Sequence, residues 1–221
     1  MATSGTYTWR PDVEEIITEA AERCLLDPTM IDRKTALTMR RSLNLLFAEW
    51  AVKGVNYWTT VESTLTLTSG TRLYSLPVGT VDILDAVIRR SDSDTGLSRI
   101  ALTDYNALPD KTTTGKPSQF FFDRQYTPQI YLYPVPSNST DTVIYWNFYQ
   151  IEDIVKSQSD IDVPYRWTEA MCAGLASKAS IKIPGVQNDR IMMLGAQAEN
   201  AFNDAATDEG EKASLKIIPV F

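Results

Sequence analysis

The stretch that decides the fold runs from Leu43 to Ile88: LNLLFAEWAVKGVNYWTTVESTLTLTSGTRLYSLPVGTVDILDAVI. Within it the apolar period changes. Leu43, Leu46, Phe47 and Trp50 recur at three and four residues, the spacing of one helical face, and Gly54 supplies a left-handed cap at the end. From Thr60 to Thr68 the chain alternates by two, with Val61, Leu65 and Leu67 on the apolar side once a shift near Ser63 is allowed. Ser69-Gly70 turns it into a strand over residues 71–76, which Pro77 stops. Residues 81–90 read as a third strand, rich enough in apolar residues to be buried on both faces. The stretch is a seam between a helical region and a β region.

Outward toward the N-terminus, the helix ending at Gly54 begins near Asp32, a residue type suited to the N-cap, and Ala36, Met39 and Ala51 extend its buried side. Ahead of it, Pro11 suits a first helical position. Asp12, Glu14 and Glu15 place negative charge where the helix dipole favours it. Val13, Ile16, Ile17, Ala20, Ala21, Cys24 and Leu25 form one apolar face, and Asp27-Pro28 ends that helix. Trp9 is expected to fold back on this face. Two antiparallel helices joined by a short loop follow.

Toward the C-terminus, SDSDTG (91–96) reads as a polar hairpin tip, residues 103–108 as a helical turn ended by Pro109, and KTTTGKP (111–117) as a flexible loop. Residues 119–123, 129–133 and 142–149 are strands dense in Phe, Tyr and Trp, which suit a pleated, half-buried surface. Residues 153–162 read as a polar linker. Asp162-Val163-Pro164 opens a third helix with Trp167, Ala170, Met171, Gly174, Leu175, Lys178 and Ile181 on its inner side, Lys178 snorkelling. Its small-residue run AMCAGLASKAS implies a close helix–helix approach. After Pro184-Gly185 a fourth helix spans about 187–208, with Ile191, Leu194, Ala198, Ala201, Phe202 and Ala205 on one face. Helices at both ends of the chain pack together most simply. The expected fold class is therefore α+β: a four-helix bundle from N- and C-terminal segments with an inserted antiparallel β-sandwich or barrel-like part. The expected boundaries are 1–55 and 163–208 for the bundle, 56–162 for the antiparallel β domain, and 209–221 for an extended C-terminal tail.

Composition narrows the chemistry. A hydrophobic share of 43% against 22% charged residues is that of a folded chain. The net charge of −7 argues against general nucleic-acid binding, which needs a basic surface. There is no histidine, which removes His-based triads and nearly all catalytic zinc sites. Cys24 and Cys172 read as buried free thiols, which fits a reducing compartment. The N-terminus lacks the features of a signal peptide, and no apolar run approaches a membrane span, so the chain is expected to be made and folded in cytoplasm.

No Gly-rich phosphate loop, metal-ligand cluster or nucleophile elbow stands out. Glu14, Glu15, Glu19 and Glu22 lie on the polar side of a helix, and Asp82 and Asp85 straddle a strand, so the expectation is no enzyme, no cofactor and no metal. A pair of carboxylates still leaves a peptidoglycan hydrolase as an alternative. The aromatic residues of the β part, Trp58, Tyr131 and Trp146 among them, leave a glycan-binding module as another, beside plain core packing. In the last residues Leu215, Ile217, Ile218, Val220 and Phe221 make an apolar end that must dock, either on the chain's own β part or on a partner.

Several segments in order carry a resemblance: LNLLFAEWAVKGVNYW into TLTLTSGTRLYSLPVGTVDILDAVIRR, then LTDYNALPDKTTTGKPSQFFFDRQYTPQIYLYPVP, VIYWNFYQIEDI, DVPYRWTEAMCAGLASKAS and EGEKASLKIIP. Together they span nearly the whole chain, which resembles the head-to-tail adaptor (connector) proteins of tailed bacteriophages, the group of tail tubular protein A, or gatekeeper. The resemblance implies a non-enzymatic virion protein at the head–tail junction, synthesised in the host cytoplasm. It would form a ring, usually a dodecamer, bound to the portal protein on one side and to a tail tube or nozzle protein on the other. DNA would pass through the lumen without specific binding, and no membrane is involved. Leu215, Ile217, Ile218, Val220 and Phe221 become candidate portal contacts.

Overall fold

A computed structural model describes residues 5–6, 9–55, 57–155 and 161–209. Its described residues form five α-helices, α1 (Val13–Arg23), α2 (Arg33–Lys53), α3 (Leu102–Ala107), α4 (Thr168–Ser180) and α5 (Asn188–Glu209), and ten strands. The α+β class holds. The described residues divide into two compact units, one built from residues up to Trp58 and from Ile151 onward, the other from Thr59–Gln150.

In the helical unit, α1 starts at a capping box. The Asp12 carboxylate accepts the Glu15 amide at 2.8 Å, and the Glu15 carboxylate accepts the Asp12 amide at 3.3 Å. Pro11 thus stands one residue ahead of the cap, not at the first helical position. The buried face of α1 ends at Cys24, because Leu25 turns left-handed (φ 61°) and is 78% exposed. Trp9 is also exposed and meets Tyr165 edge-on at 5.9 Å instead of folding under α1.

Helix α2 matches its expected ends. Asp32 caps the Thr35 amide at 2.7 Å, and Gly54 closes the helix at φ 68°. Met39, Leu43, Leu46, Phe47 and Trp50 are its buried face. Helix α4 is the centre of this unit: nine of its thirteen residues are buried, and it packs on α1, α2 and α5. That explains its small side chains. A Cβ on Gly174 would lie 2.8 Å from Leu46 Cδ2, so the helices approach as closely as glycine permits. Lys178 reaches the surface by pairing with Glu49 at 2.7 Å, while Ile181, beyond the end of α4, is exposed.

The segment read as a polar linker is partly structural. Ile154 within it, and Ile151 and Val163 on its two flanks, are buried in the helical core. Asn44 of α2 accepts the Ile154 amide at 3.0 Å and donates to the Ile154 carbonyl at 3.3 Å. This pins a non-helical strand of backbone by satisfying its polar groups.

In the β unit, one sheet has the order β1-β10-β3-β4, from β1 (Thr60–Thr66), β3 (Thr80–Arg90), β4 (Ser93–Gly96) and β10 (Thr142–Tyr149). The second has the order β2-β8-β7-β5, from β2 (Leu73–Ser75), β5 (Ser98–Arg99), β7 (Gln119–Asp123) and β8 (Gln129–Tyr133). A small pair joins β6 (Thr114–Gly115) to β9 (Val135–Pro136). Both large sheets feed one core, which includes Leu67, Ile83, Ile88 and Val143 with Phe120, Phe122, Ile130 and Leu132.

Four details differ from the sequence reading. β1 pairs with β10 without any shift, and Val61 is exposed at the outer end of the same face as Leu65 and Leu67. Ser69-Gly70 carries the chain out of one sheet and into the other, since β2 pairs with β8 and not with β1. The hairpin tip is only Ser91-Asp92, both at positive φ, and residues 93–96 are strand β4. The loop 111–117 contributes β6, and the β5–β7 and β6–β9 pairs are parallel, so the unit is not wholly antiparallel.

Strand β3 is not buried on both faces. Its register with β10 slips between Asp85 and Ile83, leaving Leu84 as the extra residue of a bulge. Ile83, Ala86 and Ile88 consequently share the core side, and Leu84 is 52% exposed. The continuous apolar run was a frame shift within a one-faced strand.

Candidate functional site

The five apolar residues of the expected tail, Leu215, Ile217, Ile218, Val220 and Phe221, lie outside the described residues. What is described is the point from which they depart. Glu209, the last residue of α5, has a nearly buried side chain that accepts from Arg166 Nε at 2.6 Å and from the Trp167 indole at 3.1 Å. Trp167 is wholly buried, 4.9 Å from the Trp50 ring, 5.3 Å from Trp58 and 5.7 Å from Phe202. The end of α5 is therefore fixed to the aromatic core of the helical unit. The sequence reading missed this clamp; its only signal was an acidic residue at the end of the last helix, where the dipole disfavours it.

Reactive groups are structurally engaged. Burial pushes the Cys172 thiol up to about 11 and raises that of Cys24, so neither thiolate forms near neutral pH. Asp82 pairs with both Arg99 and Arg124 and accepts the Ile83 amide, while Asp85 accepts the Ala86 amide at 2.8 Å. Asp141, 2% exposed, is gripped by Arg90 through contacts of 2.6–3.0 Å, which holds its carboxyl below the usual range. Among the described residues no group of three His, Cys, Asp or Glu could hold a metal, and no helix is long and apolar enough to cross a membrane.

The aromatic side chains weighed for glycan binding have separate surroundings within their own units. Trp58 lies against Trp167 and donates to the Asp162 carbonyl at 3.0 Å. Tyr131 is packed between Tyr105 and Phe121. Only Trp146 of the three is exposed, at 44%.

Two grooves of the helical unit contrast with each other. One, about 490 Å³, runs beside α2, α4 and α5, and its charges are internally matched: Glu49 bridges Lys53 and Lys178, and Lys53 sits 4.1 Å over the Phe202 ring. The other, about 620 Å³, lies along α1 and α4 with Trp9 on its rim. Its walls are acidic, with Arg23 the one basic residue among the described residues that line it, and Arg23 is already bound by Glu19 and Glu169 at 2.7 Å each.

The chain belongs to the SU10 adaptor protein family, whose pattern it matches over residues 11–216. It is thus a structural adaptor of the phage virion. No curated protein matches the chain.

Proposed function

We propose that this protein forms a homo-oligomeric ring, twelve-fold as the family resemblance implies, that joins the portal to the tail and extends the DNA channel. The observation that carries this reading is the extent of the family match, which runs through both units and into the tail as far as residue 216. In this reading residues 1–55 and 163–208 act as a four-helix bundle forming the ring wall. Residues 56–162 face the tail tube or nozzle, and 209–221 reach the portal through Leu215, Ile217, Ile218, Val220 and Phe221. The Glu209 clamp supports that role, because a docking segment loses less entropy on binding when its root is already fixed. Deleting Ser214–Phe221 should abolish capture of the protein by immobilised portal while leaving its circular dichroism and melting temperature unchanged. Equal capture of the truncated chain contradicts the assignment.

The acidic balance suits the same role. Twelve copies at −7 sum to −84, a charge that lets DNA slide through a lumen without adhering. A basic lumen in a map of the assembled ring would overturn this part.

A further inference from the structure

Helix α2 has a second apolar stripe that the described residues of its own fold leave uncovered. Lys34, Leu37, Arg41, Leu45, Ala48 and Val52 follow one another at spacings of three, four, four, three and four. At ~100° per residue they fall within an arc of about 80°. Their side is opposite the buried face of Met39, Leu43, Leu46 and Trp50. Leu37 is 42% exposed, Leu45 54% and Val52 89%. A helix in a single folded unit needs one apolar stripe; a seam of this spacing on its outer side is the pattern of a helix that meets another helix. The stripe is basic toward its N-terminal end, and Arg41 has no ion pair among the described residues.

The acid-walled groove along α1 and α4 has the complementary character. Glu14, Glu22 and Glu169 line it, Ile16 beneath them is fully buried, and Trp9 supplies exposed aromatic area at one end. Arg23, the one basic residue among its described lining residues, is neutralised within the chain. The two surfaces lie on different helices of the same unit, so one copy cannot satisfy both faces of itself.

We infer that the α2 stripe of one copy docks in the α1–α4 groove of the next. The match of a basic, partly apolar ridge to an acidic groove with an exposed tryptophan on its rim selects a second copy of this chain, because one sequence then supplies both halves. Contacts of this head-to-tail kind generate closed rings when the rotation per copy closes. The inference rests on the ring reading above and adds to it the faces that meet.

The test uses the full chain, with copy–copy association scored by sedimentation alone and by electron microscopy on portal particles. Leu45→Asp with Val52→Asp should remove association in both settings while melting stays at the wild-type temperature, since both side chains are exposed. Lys34→Glu with Arg41→Glu, and separately Glu14→Lys with Glu22→Lys, should each weaken association by about tenfold or more. Combining all four reversals should restore most of it. Normal association of the Leu45→Asp, Val52→Asp chain overturns the assignment of the face and leaves the ring reading standing. Failure of the fourfold variant to recover overturns the pairing of stripe with groove. Absence of wild-type association in both settings overturns both readings.

Discussion

The helical unit and the β unit treat their surfaces differently. In the β unit the charges near the β3–β4 hairpin are spent locally: Arg89 pairs with Asp94 at 2.7 Å, Arg90 with Asp141 at 2.6 Å, and Asp82 with Arg99 at 2.8 Å. Its exposed apolar side chains are dispersed, and in none of its ladders does one sit opposite another. The helical unit instead aligns Leu37, Leu45 and Val52 along one side of α2 and leaves an acidic groove unmatched along α1. The lesson is that unspent complementarity, more than hydrophobicity, separates a surface awaiting a partner from one that is finished.

The largest expected effect breaks the helical side of this contrast. Trp167→Ala removes a fully buried indole that touches Trp50, Trp58 and Phe202, and should cost about 3–5 kcal/mol. Hydrogen exchange should show lost protection in α2, α4 and α5 with the β-unit ladders retained. Uniform loss across both units would show that they do not keep separate stabilities. A smaller loss, about 1–3 kcal/mol by chemical denaturation, is expected for Gly174→Val, which forces Leu46 aside in a full core.

An acid titration sharpens the β side. The Asp141 carboxyl is depressed mainly by hydrogen bonds from Arg90, so its contribution is present above the unfolded value, about pH 4, and is lost as pH falls through the lower folded value. Asp141→Asn should lower stability at neutral pH and flatten the acid limb of the melting curve for the β unit. An unchanged acid limb would contradict the account. The smallest effect concerns Cys172, whose pKa of about 11 leaves it protonated in the folded chain. Because the folded value is raised, its stabilising contribution is complete below the unfolded value, about pH 8.5, and declines as pH rises toward 11. Iodoacetamide at pH 9 should label Cys172 far more slowly in native than in unfolded protein; equal rates would show that the thiol is accessible.

The helices were legible from the sequence because each decisive signal was local. Asp32 and Gly54 mark the ends of α2 through their own backbone and side-chain chemistry, and the small residues of α4 announced a close approach that Gly174 makes to Leu46. Strands β7, β8 and β10 were legible for the same reason, as alternating aromatic runs between turn residues. The failures came where pairing is non-local. The destination of β2, the parallel β5 and β6 pairs and the bulge at Leu84 depend on strands far away in sequence. Periodicity read only the inner face of α2, so its outer stripe went unremarked, although its spacing of three and four was present. The Glu209 clamp depends on Arg166 and Trp167 meeting the end of α5, which composition does not encode.

The most direct test of the central claim is to image portal particles before and after adding this protein. The account predicts an added ring of density on the tail-facing side of the portal, its copy number matching the portal's symmetry. Particles that acquire no added ring at saturating protein would contradict it.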